Sequence, residues 1–555
     1  VSSDAGDALV LTCAAGDVHL NGTALAPALA CSDVEQVEAA GGPGANLIDL
    51  SGMQQADFTR LRATLLIGGP GSDTVIGAFS DDSLVWNPGD GSDGNDGGDG
   101  HDRIVVNGSE GNNTFLVGTA GTAPGFELRF VGPFTIDIAR SEVLEINGLG
   151  GDDTLDASAL PAGLIALEFS GGAGADTQIG SAGDDLFIWN PGDGSDTVDG
   201  RGGVDTVEVQ GSDSSNTFTV GTSPASGFDV RFIGPFTIDI VNSERLEIHG
   251  NGGDDSINAS ALPAGLIALE ITGGTGADAV IGSAGDDRII WNPGDGSDAN
   301  DGGGGTDRIV VNGSESANTF TVGTAGAAAG FDLRFVGPFT IDIVRAEVLE
   351  INGRGGDDSI NASALPAGLI ALEITGGTGN DTIVGSAGND TNIWNNGDNT
   401  DTFDGGPGDD LQIVNGAPAG DLFTVQAAAG GAIANSVLFR RGNLVPFDVT
   451  LGNTERLQVN GLAGDDSIDA SALPAGLIAL ELVGGPGADT VVGSAGDDRI
   501  IWNPGDGSDT NDGGAGNDRV VVNGSDGSNS FSMGNTAVAA GFDLRFVGPF
   551  TIDIR

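Results

Sequence analysis

The sequence predicts an all-β fold, a right-handed parallel β-roll or β-helix solenoid of about 27 coils in five tandem modules. Three observations lead there. A block of about 103 residues returns five times, each copy studded with Gly–Asp turns such as Gly172-Ala173-Gly174-Ala175-Asp176. Val, Ile, Leu and Phe fall in short runs between those turns, and helical periodicity is nearly absent. Each internal step of about twenty residues holds two short strands and two turns, too little to bury its own apolar side, so it must stack on its neighbours.

The tryptophans set the register. Trp86, Trp189, Trp291, Trp394 and Trp502 recur every 102 or 103 residues, stretched once to 108. The stretched interval holds Val437-Leu438-Phe439-Arg440-Arg441, which rewrites the pattern seen at Gly330 to Phe335. In the second module the apolar runs begin near Val143, Leu164, Leu186, Thr206 and Phe228 before the pattern restarts at Leu246, which reads as five coils per module. The modules are then 32–140, 141–242, 243–345, 346–453 (divergent) and 454–555. Residues 1–31 read as two degenerate capping coils, with Asp7 to Leu11 standing where a later module has Asn113 to Val117. The last module stops at Thr551 to Arg555 without a visible cap, which predicts either a fragment or an end covered by another chain.

A net charge of −60 and a pI near 4.1 require bound cations if the chain is to be compact. With 39% apolar residues the chain is not disordered by composition. It contains no Lys and no Tyr, and most of its acids are Asp beside Gly. Nucleic acid and anionic membranes are poor partners for such a surface, and no apolar run approaches the length of a membrane span. No charged-then-apolar leader is present, so an export signal would lie outside this sequence or have been removed.

Cys13 and Cys31 lie close together and nothing later offers either a different partner. They read as a disulfide, worth roughly 3 kcal/mol by loop closure and implying an oxidising, extracellular setting. The competing reading, two buried thiols in a cytoplasmic protein, is disfavoured by the same compartment rules.

Gly376-Gly377-Thr378-Gly379-Asn380-Asp381-Thr382-Ile383, Gly68-Gly69-Pro70-Gly71-Ser72-Asp73-Thr74-Val75, Gly484 to Val491 and Gly513 to Val520 follow one pattern. It resembles the nonapeptide of the hemolysin-type, or RTX, calcium-binding repeat proteins. The resemblance implies a parallel β-roll in which glycine carbonyls and the sixth-position Asp of one turn share a calcium ion with the next turn. Elementary chemistry agrees, because Gly turns carbonyls inward and Asp supplies hard anionic oxygen, while His and thiolate are nearly missing.

The implied cofactor is Ca2+, several ions per chain. Candidate ligands in the first module are Asp73, Asp90, Asp93, Asp96, Asp99 and Asp102. The second supplies Asp152, Asp153, Asp176, Asp184, Asp185, Asp193, Asp196, Asp199 and Asp205. In the third they are Asp254, Asp255, Asp278, Asp286, Asp287, Asp295, Asp298, Asp301 and Asp307. The fourth has Asp357, Asp358, Asp381, Asp390, Asp398, Asp401, Asp404, Asp409 and Asp410. The fifth has Asp465, Asp466, Asp489, Asp497, Asp498, Asp506, Asp509, Asp512 and Asp518. About half to two thirds of these should touch an ion, the rest being ordinary soluble turn residues. The later coils depart from the motif at Gln210 to Thr217 and Ile233-Gly234-Pro235-Phe236, and are expected to be metal-free, held by Phe218, Phe228, Phe232 and Phe236.

The tryptophans, each before Asn-Pro-Gly or a near copy, are expected to seal the core rather than bind sugar. Asn107-Gly108-Ser109 and Asn312-Gly313-Ser314 are weak glycosylation signals. Catalysis needs a site that differs from the repeat around it, and none stands out; His19, His101 and His249 occupy unrelated phases. The expected function is therefore an extracellular structural protein at the cell surface, stiffened by calcium, a protomer of a head-to-tail fibre. Its rivals are the stalk of a calcium-dependent adhesin or surface-layer protein, and a β-helical polysaccharide lyase or epimerase. Self-association is the expected partnership, with room for a cell-surface or glycan partner.

Overall fold

The computed structural model describes residues 6–119, 126–130, 134–222, 227–232, 236–324, 330–335, 339–429, 436–527, 529–535, 542–546 and 551–554. The chain forms two compact units, one of residues 1–272 with 282–285 and one of 273–281 with 286–555. Each is a parallel β-roll of two facing sheets. Among the described residues the only helical turn is the 3₁₀ segment Cys31–Asp33.

In the first unit one sheet is parallel throughout. Its strands run in chain order, Gln36–Ala40, Ala63–Ile67, Asp81–Trp86, Arg103–Asn107, Val143–Asn147, Ala166–Ser170, Asp185–Trp189, Thr206–Gln210, Arg245–His249 and Ala268–Thr272. The second unit builds the equivalent sheet from Asp287–Trp291 to Arg519–Val522. Alternation along each strand sends every second residue inward, so Leu144 and Ile146 are fully buried while Glu145 lies at the surface. Large rings fill the interior: Phe169 and Phe187 meet edge to face at 5.7 Å.

The facing sheet differs from the expected five coils. After Thr154–Ala159, Thr177–Ile179 and Asp196–Asp199, the next parallel neighbour is Thr237–Val241. That strand is antiparallel to Phe228–Phe232, itself antiparallel to Thr217–Thr222, which resumes parallel pairing with Ser256–Asn258. The run at Phe228 is thus the middle of an antiparallel meander, and the all-parallel sheet gains four strands per repeat rather than five. Alternation with a period of two is the same in parallel and antiparallel strands, so the apolar pattern alone did not distinguish them. The short connections beside Phe228–Phe232 are the missed signal, because a parallel return needs a crossover of about a dozen residues or more. Phe218 and Phe228 are buried and Phe236 is half-buried. The side chain of Phe232, residues Ile233, Gly234 and Pro235, and Arg555 lie outside the described residues.

Residues near the start also differ from coils. Ala8–Ala14, Asp17–Leu20 and Thr23–Ala24 form an antiparallel meander, pinned by the Cys13–Cys31 disulfide with a Cα–Cα distance of 6.1 Å. Ala8 to Val10 then run parallel to Leu47–Asp49, as Thr114 to Leu116 run beside Thr154 to Asp156.

All five tryptophans are buried, and each indole Nε1 donates to the carbonyl five residues on, at Gly91, Gly194, Gly296, Asn399 and Gly507. They seal the core and brace the turn that follows. Asn107 and Asn312 lie in side-chain amide ladders: Asn107 Nδ2 donates to Asn87 and its Oδ1 accepts from Asn147, and Asn312 does the same between Asn292 and Asn352.

Turn geometry limits what can stand in these corners. Gly192 and Gly194 have φ of +110° and +101°. A Cβ on Gly192 meets nothing within 4 Å, whereas one on Gly194 would overlap the Gly174 carbonyl oxygen of the coil before. Gly192→Ala should therefore cost about 1–2 kcal/mol of backbone strain. Gly194→Ala should cost at least about 3 kcal/mol, since the coils must also move apart. Urea unfolding of the two variants in calcium checks this; equal midpoints would contradict it.

Candidate metal centre

Two columns of carboxylates run along the corners of the roll. In the first, Asn113 N–H donates to Asp153 Oδ1 at 2.5 Å, Asp153 N–H to Asp176 at 2.7 Å, and Asp176 N–H to Asp196 at 2.8 Å. The same chain recurs as Asp7–Asn46–Asp73–Asp93, Asn318–Asp358–Asp381–Asp401 and Asp421–Asp466–Asp489–Asp509. Asn216 to Asp255 and Asp278 to Asp298 are further links of the same kind. One oxygen of each acid is thereby committed to the backbone of the preceding coil.

The other oxygen is the informative one. Oδ2 of Asp73, Asp153, Asp176, Asp196, Asp358, Asp381, Asp466 and Asp489 is buried with no hydrogen-bond partner. A buried anionic oxygen without a partner is costly, and a bound cation or a proton relieves it.

The second column precedes the strands of the all-parallel sheet. Asp82 N–H donates to Asp102 and Asp102 N–H to Glu142; Asp185, Asp205 and Glu244 repeat this, as do Asp287, Asp307 and Glu347, and Asp390, Asp410 and Glu455. Asp498 donates to Asp518. Oδ2 of Asp102, Asp205, Asp307 and Asp410 is again buried without a partner. The column-ending glutamates and the asparagines that end the first column were not among the sequence candidates. A Glu recurring at each restart, at Glu142, Glu244, Glu347 and Glu455, was the available signal.

The remaining candidates fall into distinct places. Exposed Asp152, Asp184, Asp286, Asp357, Asp465 and Asp497 each accept an N–H from the following coil. Adjacent acids such as Asp152 and Asp153 therefore grip the coils on either side. Asp254 and Asp99 are exposed. Asp90, Asp193, Asp295, Asp398 and Asp506 close the turn after Trp by accepting the N–H three residues back. Asp96 and Asp301 are paired with Arg140 and Arg345, Asp199 and Asp404 with Asn242 and Asn453, and Asp409 with Arg456. Asp512 accepts from Gly514 N–H.

Among the described residues, no three acidic, His or Cys side chains converge as a ready-made cluster. A hard cation at the inner acids would thus take one or two carboxylate oxygens and complete its shell with turn carbonyls, a mixture suited to an ion that accepts 6–8 oxygens. The donor set fits calcium.

Comparison with known families agrees. The model of the RTX calcium-binding nonapeptide repeat, four copies long, matches residues 169–188, 192–208, 247–261, 270–296, 373–391 and 481–501. The chain carries RTX calcium-binding repeats. No curated protein matches it. The matched RTX stretches contain Asp176, Asp196, Asp205, Asp255, Asp278, Asp381 and Asp489, all members of the two columns.

Electrostatics in these turns show how far the acids are from their ordinary state. Burial lifts Asp153 to about 7, Asp176 to about 6 and Asp196 to about 8; the N–H from the preceding coil opposes this and neighbouring carboxylates add to it. The equivalents Asp358, Asp381 and Asp401 sit at about 7, 6 and 8 for the same reasons. In the second column burial raises Asp205, Asp307 and Asp410 to about 7.

A carboxyl that titrates higher folded than unfolded holds more protons in the fold between those two values. Stability without a divalent ion should therefore fall as pH climbs from about 4 to about 8, and calcium should remove most of that slope. Circular dichroism against pH in chelator and in calcium measures it; an apo form more ordered at pH 8 than at pH 5 would contradict it. A second test targets one oxygen. Asp176→Asn keeps an acceptor for Asp153 N–H but removes the charge, so coil geometry should persist in calcium while the apparent affinity of the neighbouring ions drops about tenfold. Calorimetric titration reads the loss.

Proposed function

We propose that this chain is an extracellular structural protein whose repeats fold around calcium and stiffen, and that copies join head to tail into a surface fibre. The observation that carries the first part is the row of buried, unpartnered Oδ2 atoms along both corners. Without a counter-ion those acids oppose folding; with millimolar calcium outside a cell they are neutralised as the coils close, so binding and folding become one event. The Cys13–Cys31 disulfide supports the extracellular setting.

The modular division supports a structural role. The meander at Thr114–Ala139 recurs at Thr217–Val241, Thr319–Val344, Leu422–Gly452 and Phe531–Ile554, in keeping with five modules bounded near 141, 243, 346 and 454. Coil-to-coil contact within each unit sets the trailing strand edges and acidic corners of one coil against the leading ones of the next, and such a heterologous contact extends a filament when the same two faces join separate chains.

Excess chelator should abolish most of the β-sheet circular dichroism, and returning calcium should restore it. Electron microscopy in calcium should show filaments that dissolve in chelator. Unchanged spectra in chelator would overturn the calcium reading. Separate rods at high concentration would overturn the fibre and favour the stalk of an adhesin or surface-layer protein.

A further inference from the structure

The divergent stretch 394–452 differs from its copies at three positions that meet in space. Asn396 stands where Pro88, Pro191, Pro293 and Pro504 follow the Trp-Asn pair. Asp421 stands where Asn113, Asn216 and Asn318 end the first carboxylate column. The hydrogen bonds fix this equivalence: Ala417 N–H donates to Asp421 Oδ2 at 2.7 Å, as Ser109, Ser212 and Ser314 donate to their asparagines. Arg441 is opposite Phe423, where Phe130, Phe232 and Phe335 are opposite Phe115, Phe218 and Phe320.

Arg441 joins the three. Its guanidinium is 3.4 Å from Asp421 Oδ1, with the two side chains 3% and 0% exposed. That contact is an ion pair without a hydrogen bond; Nη1 donates to Asn396 Oδ1 at 2.8 Å and Nε to the Val445 carbonyl at 3.2 Å, and the guanidinium carbon lies 5.0 Å over the Phe447 ring. Phe447 in turn stacks on Trp394 at 3.8 Å. Next to it, Arg440 makes a two-pronged bond to Asp448 at 2.6 and 2.8 Å, directly across the strand pair. The corresponding pairs elsewhere are Arg129 opposite Thr135, Arg231 opposite Thr237 and Arg334 opposite Thr340, so Asp448 is the change there, and the acid pairs Glu127–Asp137, Asp229–Asp239 and Asp332–Asp342 become Leu438 opposite Thr450. A neutral column end has thus been exchanged for a charged one together with its counter-charge and the group that orients it.

We propose that Arg441 is a built-in counter-ion, and that the meander 422–452 consequently stays ordered when the acidic turns have lost their metal. Asn396 is the positioning residue: a proline there has no side-chain oxygen to hold Nη1. The planar guanidinium supplies in a fixed place what the other corners take from solution, a cation facing a buried carboxylate. Chelation would then leave the second unit with one ordered segment from which coils re-form as calcium returns.

The inference rests on the calcium reading above, and one experiment separates the two. Amide hydrogen exchange of the full chain is followed by mass spectrometry in calcium and in excess chelator. Thr237–Val241 and Thr340–Val344 should exchange at least about a hundredfold faster in chelator, and Val437–Gly452 less than about threefold faster. If no segment responds, the calcium reading fails. If Val437–Gly452 loses protection along with its equivalents, the built-in counter-ion fails.

Arg441→Phe alone strands the Asp421 carboxylate and should expose the meander to exchange even in calcium. The double variant Asp421→Asn with Arg441→Phe restores the Asn and Phe of the other copies. It should fold in calcium and become as chelator-sensitive as Thr340–Val344. A double variant that keeps the wild-type resistance to chelator would overturn the proposal.

Discussion

Many coils among the described residues depend on an arrangement that is costly on its own: a buried Asp, such as Asp153 or Asp176, whose one oxygen binds the backbone of the coil before it and whose other oxygen has no hydrogen-bond partner. The first bond sets the spacing and register of the corner. Asp153, Asp176 and Asp196 stand in line because each receives the N–H of its predecessor. The second oxygen makes the same corner electrostatically costly, since water has been removed and like charges stand on neighbouring coils. A fold held by such acids is conditional on cations in a way that an apolar core is not.

The apolar interior is adequate but thin. Each strand contributes only two or three inward residues, and the interior gains breadth mainly from rings such as Phe169, Phe187 and the buried tryptophans. Burial of this kind fixes which face of a strand points inward. It does not decide whether consecutive coils stay closed at their corners, where glycine removes the side chain and aspartate adds charge. Stability and any response to cations are therefore lodged in the same few residues.

Much of this was legible in the sequence because glycine and aspartate have few alternative meanings when repeated at fixed spacing. The β-roll, the Trp register, the Cys13–Cys31 bridge and the RTX motif at Gly376 to Ile383 all follow from residue type and period. Strand direction did not: Phe228–Phe232 alternates like its neighbours, and only the brevity of its flanking connections betrays the antiparallel turn. The division of labour among the aspartates was equally hidden. Asp152 and Asp153 are adjacent and chemically identical, yet one is exposed and holds the following coil while the other is buried and holds the preceding one. Asp96 and Asp301 look like ligands until Arg140 and Arg345, distant in sequence, are brought beside them. Those distinctions depend on which face of the coil a residue reaches, and pairwise spacing does not encode that.

The most direct measurement is a crystal structure of the calcium-loaded chain with anomalous scattering recorded for calcium. Peaks should lie against Oδ2 of Asp153, Asp176, Asp196 and their copies, within the range of about 2.3–2.6 Å that calcium keeps to oxygen, with turn carbonyls completing each shell. Ordered coils whose inner carboxylates face no ion would contradict the account.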